Sequence, residues 1–210
     1  MRKLLLIGTT VLLTVTSASA QATERYQADI YATVGCDWNR DMNCHTIWLS
    51  GDVGKGDASR FEQVLWQNNV RKAIVILDSP GGLLNEGLAI GTTIWQRGYT
   101  TKVRAQDWCL SVCALIWLAG SVHYLESGAH VGFHGAYQQL TDTNGAPLNS
   151  SKPVLSNSGN AKVGAYLGGL GFSYDAIAQM VAAGPDSMLW LSNQDQANKL
   201  GISITTVAVR

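Results

Sequence analysis

The chain alternates between short β-branched apolar runs and longer segments whose apolar residues recur at helical spacing. Ala73-Ile74-Val75-Ile76-Leu77 is the clearest run. Charge bounds it on one side and Asp78-Ser79-Pro80-Gly81-Gly82 on the other, so it predicts a central parallel strand buried on both faces. Thr46-Ile47-Trp48-Leu49 predicts a second buried strand ending at Gly51, with a short strand over 30–34 before it. Between these runs Asp57 is placed to cap a helix carrying Phe61, Val64 and Leu65 on one face.

Beyond the Pro-Gly-Gly turn, Leu84, Leu88, Gly91 and Trp95 share one face of a helix over 83–97, and Gly98 is its stop. Residues 99–104 read as another strand. The run from Cys109 to Gly120 is apolar all round and predicts a buried helix, too short to span a bilayer. Residues 122–125 and 130–134 predict two further strands. Residues 138–160 are rich in Ser, Asn, Thr, Gly and Pro and predict a long loop. Helices over 173–183 and 192–200, with Gly201 past the end, close the chain. This order of strands and helices implies an α/β fold with crossover helices.

One apolar run has a different meaning. Arg2 and Lys3 precede Leu4 to Thr16, and Ala18-Ser19-Ala20 follows. That is a charged start, an apolar stretch of signal length and a small-residue cleavage site, so residues 1–20 read as a signal peptide cut after Ala20. Residues 21–45 then form an N-terminal segment and residues 46–210 the α/β domain. The expected location is periplasmic or secreted, an oxidising setting in which cysteines pair. Cys36, Cys44, Cys109 and Cys113 allow three connectivities. The simplest is local, 36–44 and 109–113, against the alternative of buried free thiols.

Composition narrows the function classes. Charged residues make up 14% of the chain, against about 25% in ordinary domains. Apolar residues make up 46%, which excludes disorder as the main state. The 15 Lys+Arg balance 15 Asp+Glu, and without residues 1–20 the count is 13 against 15. No basic excess is present to neutralise phosphates, so no nucleic-acid partner is expected. Asp37, Asp41 and His45 have no spacing that closes a zinc site, and neither metal nor cofactor is expected. His123 and His130 fall in strands and read as structural, and Asn149-Ser150-Ser151 matches a glycosylation sequon.

Ser111 alone, in an apolar segment, reads as a hydroxyl bonded back to its own helix. Two other features alter that reading. The strand ending in Ser79-Pro80-Gly81-Gly82 leads into a helix, and a Gly pair there lets backbone N–H groups turn toward a ligand. His134 stands at a strand end, where functional side chains often project. The three together suggest a Ser–His hydrolase with a backbone oxyanion hole.

In order, Leu77-Asp78-Ser79-Pro80-Gly81-Gly82, Gly87-Leu88-Ala89-Ile90, Cys109-Leu110-Ser111-Val112-Cys113-Ala114, Ala119-Gly120 and Val131-Gly132-Phe133-His134 resemble the ClpP/crotonase superfamily. Within it, the chain resembles ClpP-like serine peptidases of the exported kind, over about residues 46–201. The resemblance implies a superhelix of repeated strand–strand–helix units with a mostly parallel sheet. It implies Ser111 as nucleophile, His134 as general base, and an oxyanion hole from the N–H groups of Gly81 or Gly82 and of Val112. It also implies a downstream aspartate. Asp175 and Asp195 sit where helix starts explain them. Asp186, after Gly184-Pro185, has no such explanation and is the expected third member.

The sequence departs from the family in two places. Leu110 and Val112 replace small residues beside the nucleophile, inside a Cys-x-Ser-x-Cys frame, and Gly135-Ala136 stands where ClpP enzymes usually have Gln-Pro. The implied partners are a peptide or protein substrate and further copies of the chain. An ATP-driven unfoldase is not expected, because an exported protein meets no ATP supply. The rival readings are a non-catalytic binding module of the same fold, a crotonase-type acyl-CoA enzyme, and thiol chemistry at Cys109 or Cys113.

Overall fold

The computed structural model describes residues 27–36, 43–138, 152–184 and 186–207. The expected signal peptide, Asp37, Asp41 and the 149–151 sequon lie outside the described residues. The chain opens with β1 (Asp29–Val34), β2 (His45–Ser50), α1 (Asp57–Gln67) and β3 (Ala73–Asp78). Next come α2 (Leu84–Arg97), β4 (Thr100–Val103), β5 (Trp108–Leu110), α3 (Val112–Trp117), β6 (His123–Glu126) and β7 (His130–Phe133). The last part holds β8 (Tyr137–Gln138), β9 (Val154–Leu155), α4 (Asn157–Gly169), α5 (Tyr174–Ala182), β10 (Leu189–Leu191), α6 (Gln194–Lys199) and β11 (Ile204–Val207).

The larger sheet has six strands in the order β1-β2-β3-β4-β6-β11. Only the β1–β2 pair is antiparallel, so the sheet is mostly parallel, as the sequence implied. A second sheet, β10-β7-β5, has β5 parallel and β10 antiparallel to β7. β8 and β9 form a separate antiparallel pair.

β3 is buried on both faces, but two different structures cover it. Val75 and Leu77 join the main core with Phe61, Ile90, Ile94 and Trp117. Ile74 and Ile76 face the other way, against Cys36, Cys44 and the half-buried Trp48. The Cys36–Cys44 disulfide therefore packs on the face of β3 opposite the main core.

The helical face of α2 differs from expectation. Its buried residues are Gly87, Ile90, Gly91 and Ile94, and Trp95 is 54% exposed. The cause is close approach by two neighbours. A Cβ on Gly87 would come within 2.2 Å of Val112 Cγ2, and one on Gly91 within 2.0 Å of the Tyr166 hydroxyl. The small residues, not the largest apolar ones, mark the packed face.

Four other expectations are corrected. The run from Cys109 is not one helix: Cys109 and Leu110 belong to β5, and α3 begins only at Val112. Of the expected loop over 138–160, residues 139–151 lie outside the described residues, and 152–160 hold β9 and the start of α4. The last helix is capped by Asn193, whose Oδ1 accepts from Gln196 N, so Asp195 is not at a capping-box position after Ser192. Asp57 is the first residue of α1 rather than its cap, which is Gly56.

Candidate active site

Ser111 occupies the turn between β5 and α3, with φ 57° and ψ −125°. A non-glycine residue at positive φ is strained and persists only where its surroundings hold it. Three sets of contacts hold it here. Leu110 N donates to Ser79 O (3.0 Å) and Ser79 N to Trp108 O (2.6 Å), pinning β5 to the end of β3. Ser111 N donates to Gly132 O (2.9 Å) on β7. The Cys109–Cys113 disulfide then closes across Ser111, with both cysteines fully buried. No free cysteine exists among the described residues, which removes the thiolate reading.

Opposite Ser111 lies the Ser79-Pro80-Gly81-Gly82 turn. Gly81 and Gly82 have φ 104° and 142°, conformations that L side chains rarely adopt. Gly81 N donates to Ser79 Oγ (3.1 Å) and Gly81 O accepts from Val53 N (2.7 Å). Among the described residues Gly82 N has no acceptor. Val112 N is the first amide of α3 and has no partner within the helix. Of the two glycines, Gly82 is thus the one with a donor to spare.

Ser111, Gly81, Gly82, Val112, His134 and Met188 line one cleft of about 670 Å³, a size suited to a small ligand or part of a peptide. His134 follows β7 directly. Its Nδ1 lies 2.7 Å from Gly135 O. A carbonyl oxygen only accepts, so Nδ1 carries a proton, and in the neutral ring Nε2 is the nitrogen with the lone pair. The Tyr137 ring packs beside the imidazole at 5.1 Å. No hydrogen bond joins Ser111 Oγ to His134 among the described residues, and such bonds commonly close only in the substrate complex.

Asp186 is exposed on the turn before β10 and does not line the cleft. Among the described residues, no hydrogen bond connects it to His134. Asn160, which the sequence reading missed, reaches the segment that follows the histidine: its Oδ1 accepts from Ala136 N at 2.7 Å. The only cue in the sequence would have been a helix over 157–169, and the glycines there hide it. His123 is structural, its ring nitrogens facing Ser203 O and Leu118 O, and His130 stacks on Trp108.

No protein-family model and no curated protein matches the sequence. Solved structures do match. One is a variant of 1510-N, a membrane-bound stomatin-specific protease, with a TM-score of 0.57 and 17% identity over 78% of this chain and 77% of that one. The 1510-N membrane protease specific for a stomatin homolog from Pyrococcus horikoshii matches with a TM-score of 0.50 and 18% identity, covering 78% and 71%. ClpP1 from Listeria monocytogenes matches with a TM-score of 0.54 and 19% identity, covering 79% and 92%. The chain has the ClpP-like protease fold.

Proposed function

We propose that this protein is a serine hydrolase, a ClpP-like peptidase working by acyl transfer in an oxidising compartment outside the cytoplasm. The observation that carries the reading is the strained Ser111 turn, which shares a cleft with a histidine whose Nδ1 faces the Gly135 carbonyl. Ser111 Oγ attacks the scissile carbonyl and passes its proton to His134 Nε2. Gly82 N–H and Val112 N–H receive the oxyanion, and each such donor is worth about 3–4 kcal/mol in the transition state. His134 then protonates the leaving amine, and water hydrolyses the acyl-enzyme by the same route.

Two disulfides among the described residues support an oxidising location. The reading of residues 1–20 as an export signal supports it as well. No described helix is long and apolar enough to cross a membrane. Exposed Leu83, Tyr137, Val154 and Leu155 around the cleft suit an extended peptide substrate or a second copy of the chain.

A fluorophosphonate probe tests the chemistry. The folded protein is expected to label on Ser111 at neutral pH, and Ser111→Ala to abolish labelling. The missing Ser111–His134 hydrogen bond favours one other reading, a binding module that keeps the fold without catalysis. Complete absence of labelling in correctly folded protein would select it.

A further inference from the structure

We propose that Asn160, acting through the Gly135–Ala136 peptide, is the residue that positions His134, in place of an aspartate. The inference rests on the hydrolase reading above and names the group that orients its base. A single peptide unit lies between the two side chains. Its carbonyl, from Gly135, accepts from His134 Nδ1 at 2.7 Å. Its N–H, from Ala136, donates to Asn160 Oδ1 at 2.7 Å. Both distances fall at the short end of the N–H···O range. The C–N bond of a peptide has partial double-bond character, so an acceptor at the N–H end increases electron density on the carbonyl oxygen. Asn160 thereby strengthens the acceptor that faces the imidazole.

The surroundings immobilise every part of this chain of bonds. Gly135 N donates to Ala183 O (2.9 Å), and Ser156 N donates to Ala136 O (2.8 Å). Asn160 stands in the first turn of α4, where its own N–H donates to Ser156 O (2.8 Å) and Ser156 Oγ accepts from Gly159 N (3.1 Å). Gly135 leaves room for nothing larger: a Cβ there would lie 2.7 Å from Val181 O and 3.3 Å from Asn160 Oδ1. The result is a neutral relay. It fixes the Nδ1–H tautomer, points Nε2 away from the relay, and offers a polarised carbonyl to the imidazolium when it forms. Asp186 is exposed, has no hydrogen bond to the histidine among the described residues, and is dispensable to the relay.

The test pairs fluorophosphonate labelling rates with nitrogen-15 spectra of His134 in the full folded chain. Asn160→Leu, which keeps bulk and removes the acceptor, is expected to slow labelling about tenfold or more. Asn160→Asp, which keeps an acceptor oxygen, is expected to label within about threefold of wild type, as is Asp186→Asn. The wild-type spectrum is expected to show the Nδ1–H tautomer, and Asn160→Leu to shift it toward a tautomer mixture. Wild-type labelling in Asn160→Leu would overturn the proposal. So would a tenfold loss confined to Asp186→Asn, or an Nε2–H tautomer in wild type. If Asn160→Leu fails to fold, the Asn160→Asp rate and the wild-type tautomer still decide. A wild type that never labels sinks the hydrolase reading instead, and the spectra then judge the relay alone.

Discussion

Gly81 lies directly against Ser111: a Cβ built on the glycine would be 2.7 Å from Ser111 Cβ and 2.8 Å from Leu110 O. The contact joins the turn that ends β3 to the turn that begins α3, so each holds the other. Gly81→Ala has no tolerable outcome here, since φ is 104° and the obstacle includes backbone. We expect it to push Ser111 out of its strained turn and to lower fluorophosphonate labelling by about a hundredfold, in line with losing a preorganised site. Circular dichroism should show the fold retained. Labelling at the wild-type rate would mean that Ser111 tolerates displacement.

The Cys109–Cys113 disulfide closes a short loop around Ser111. Loop-closure entropy gives such a bridge about 2 kcal/mol. Replacing both cysteines with alanine is expected to lower the urea midpoint accordingly and to slow labelling, because the strained turn loses its covalent tie. Unchanged stability and unchanged labelling together would show that the hydrogen bonds to Ser79 and Gly132 suffice.

The parts of the site that could be read from the sequence are those whose chemistry is local. Gly81-Gly82 announces positive φ, and a serine and a strand-end histidine stand in the right order. The strand β3 was legible because a β-branched run between charge and Pro-Gly leaves little choice. Ser111's own conformation was not legible: no residue type signals a strained non-glycine turn. The Cys109–Gly120 run was misread because a strand and a helix, both fully buried, are equally apolar, and cysteines four apart suit a helix too. α4 escaped because its buried stripe is only Gly159, Val163 and Leu167, among exposed glycines. Asn160 escaped with it, since its role depends on the distant residues Gly135 and Ala136.

Asp57 is fully buried at the start of α1, and its carboxylate ties three segments together. Oδ2 accepts from Ala28 N (2.9 Å) and Gly54 N (2.7 Å), and Oδ1 pairs with Arg60 at 2.7 Å. Asp57→Ala would leave two buried N–H groups and a guanidinium without their acceptor. We expect a loss of about 2–5 kcal/mol, chiefly from the two buried N–H groups left unsatisfied. At this chain length that is a fall in Tm of about 10 °C. A change under about 1 kcal/mol in chemical denaturation would show that water replaces the carboxylate there.

Tyr166 sets a limit on stability at alkaline pH. Its hydroxyl, on α4, donates to Leu115 O on α3 at 3.1 Å. Burial pushes its pKa well above the ordinary 10.0, and Tyr99, which donates to Val70 O at 2.9 Å, is raised by burial in the same direction. The folded chain therefore keeps phenol protons that the unfolded chain releases near pH 10. The stabilisation is complete below about pH 10 and is lost as pH rises toward the folded-state values, by about 1.4 kcal/mol per pH unit for each tyrosine. Tyr166→Phe removes one of these contributions and leaves Leu115 O without its donor, a cost of about 1 kcal/mol at neutral pH. We expect the variant to be less stable than wild type at pH 7 and to lose stability more gently above pH 10. The two curves should cross near pH 11, where about 1.4 kcal/mol has drained from the wild type alone. Urea midpoints measured from pH 7 to pH 11.5 check this, and parallel curves would show that Tyr166 ionises freely in the folded protein.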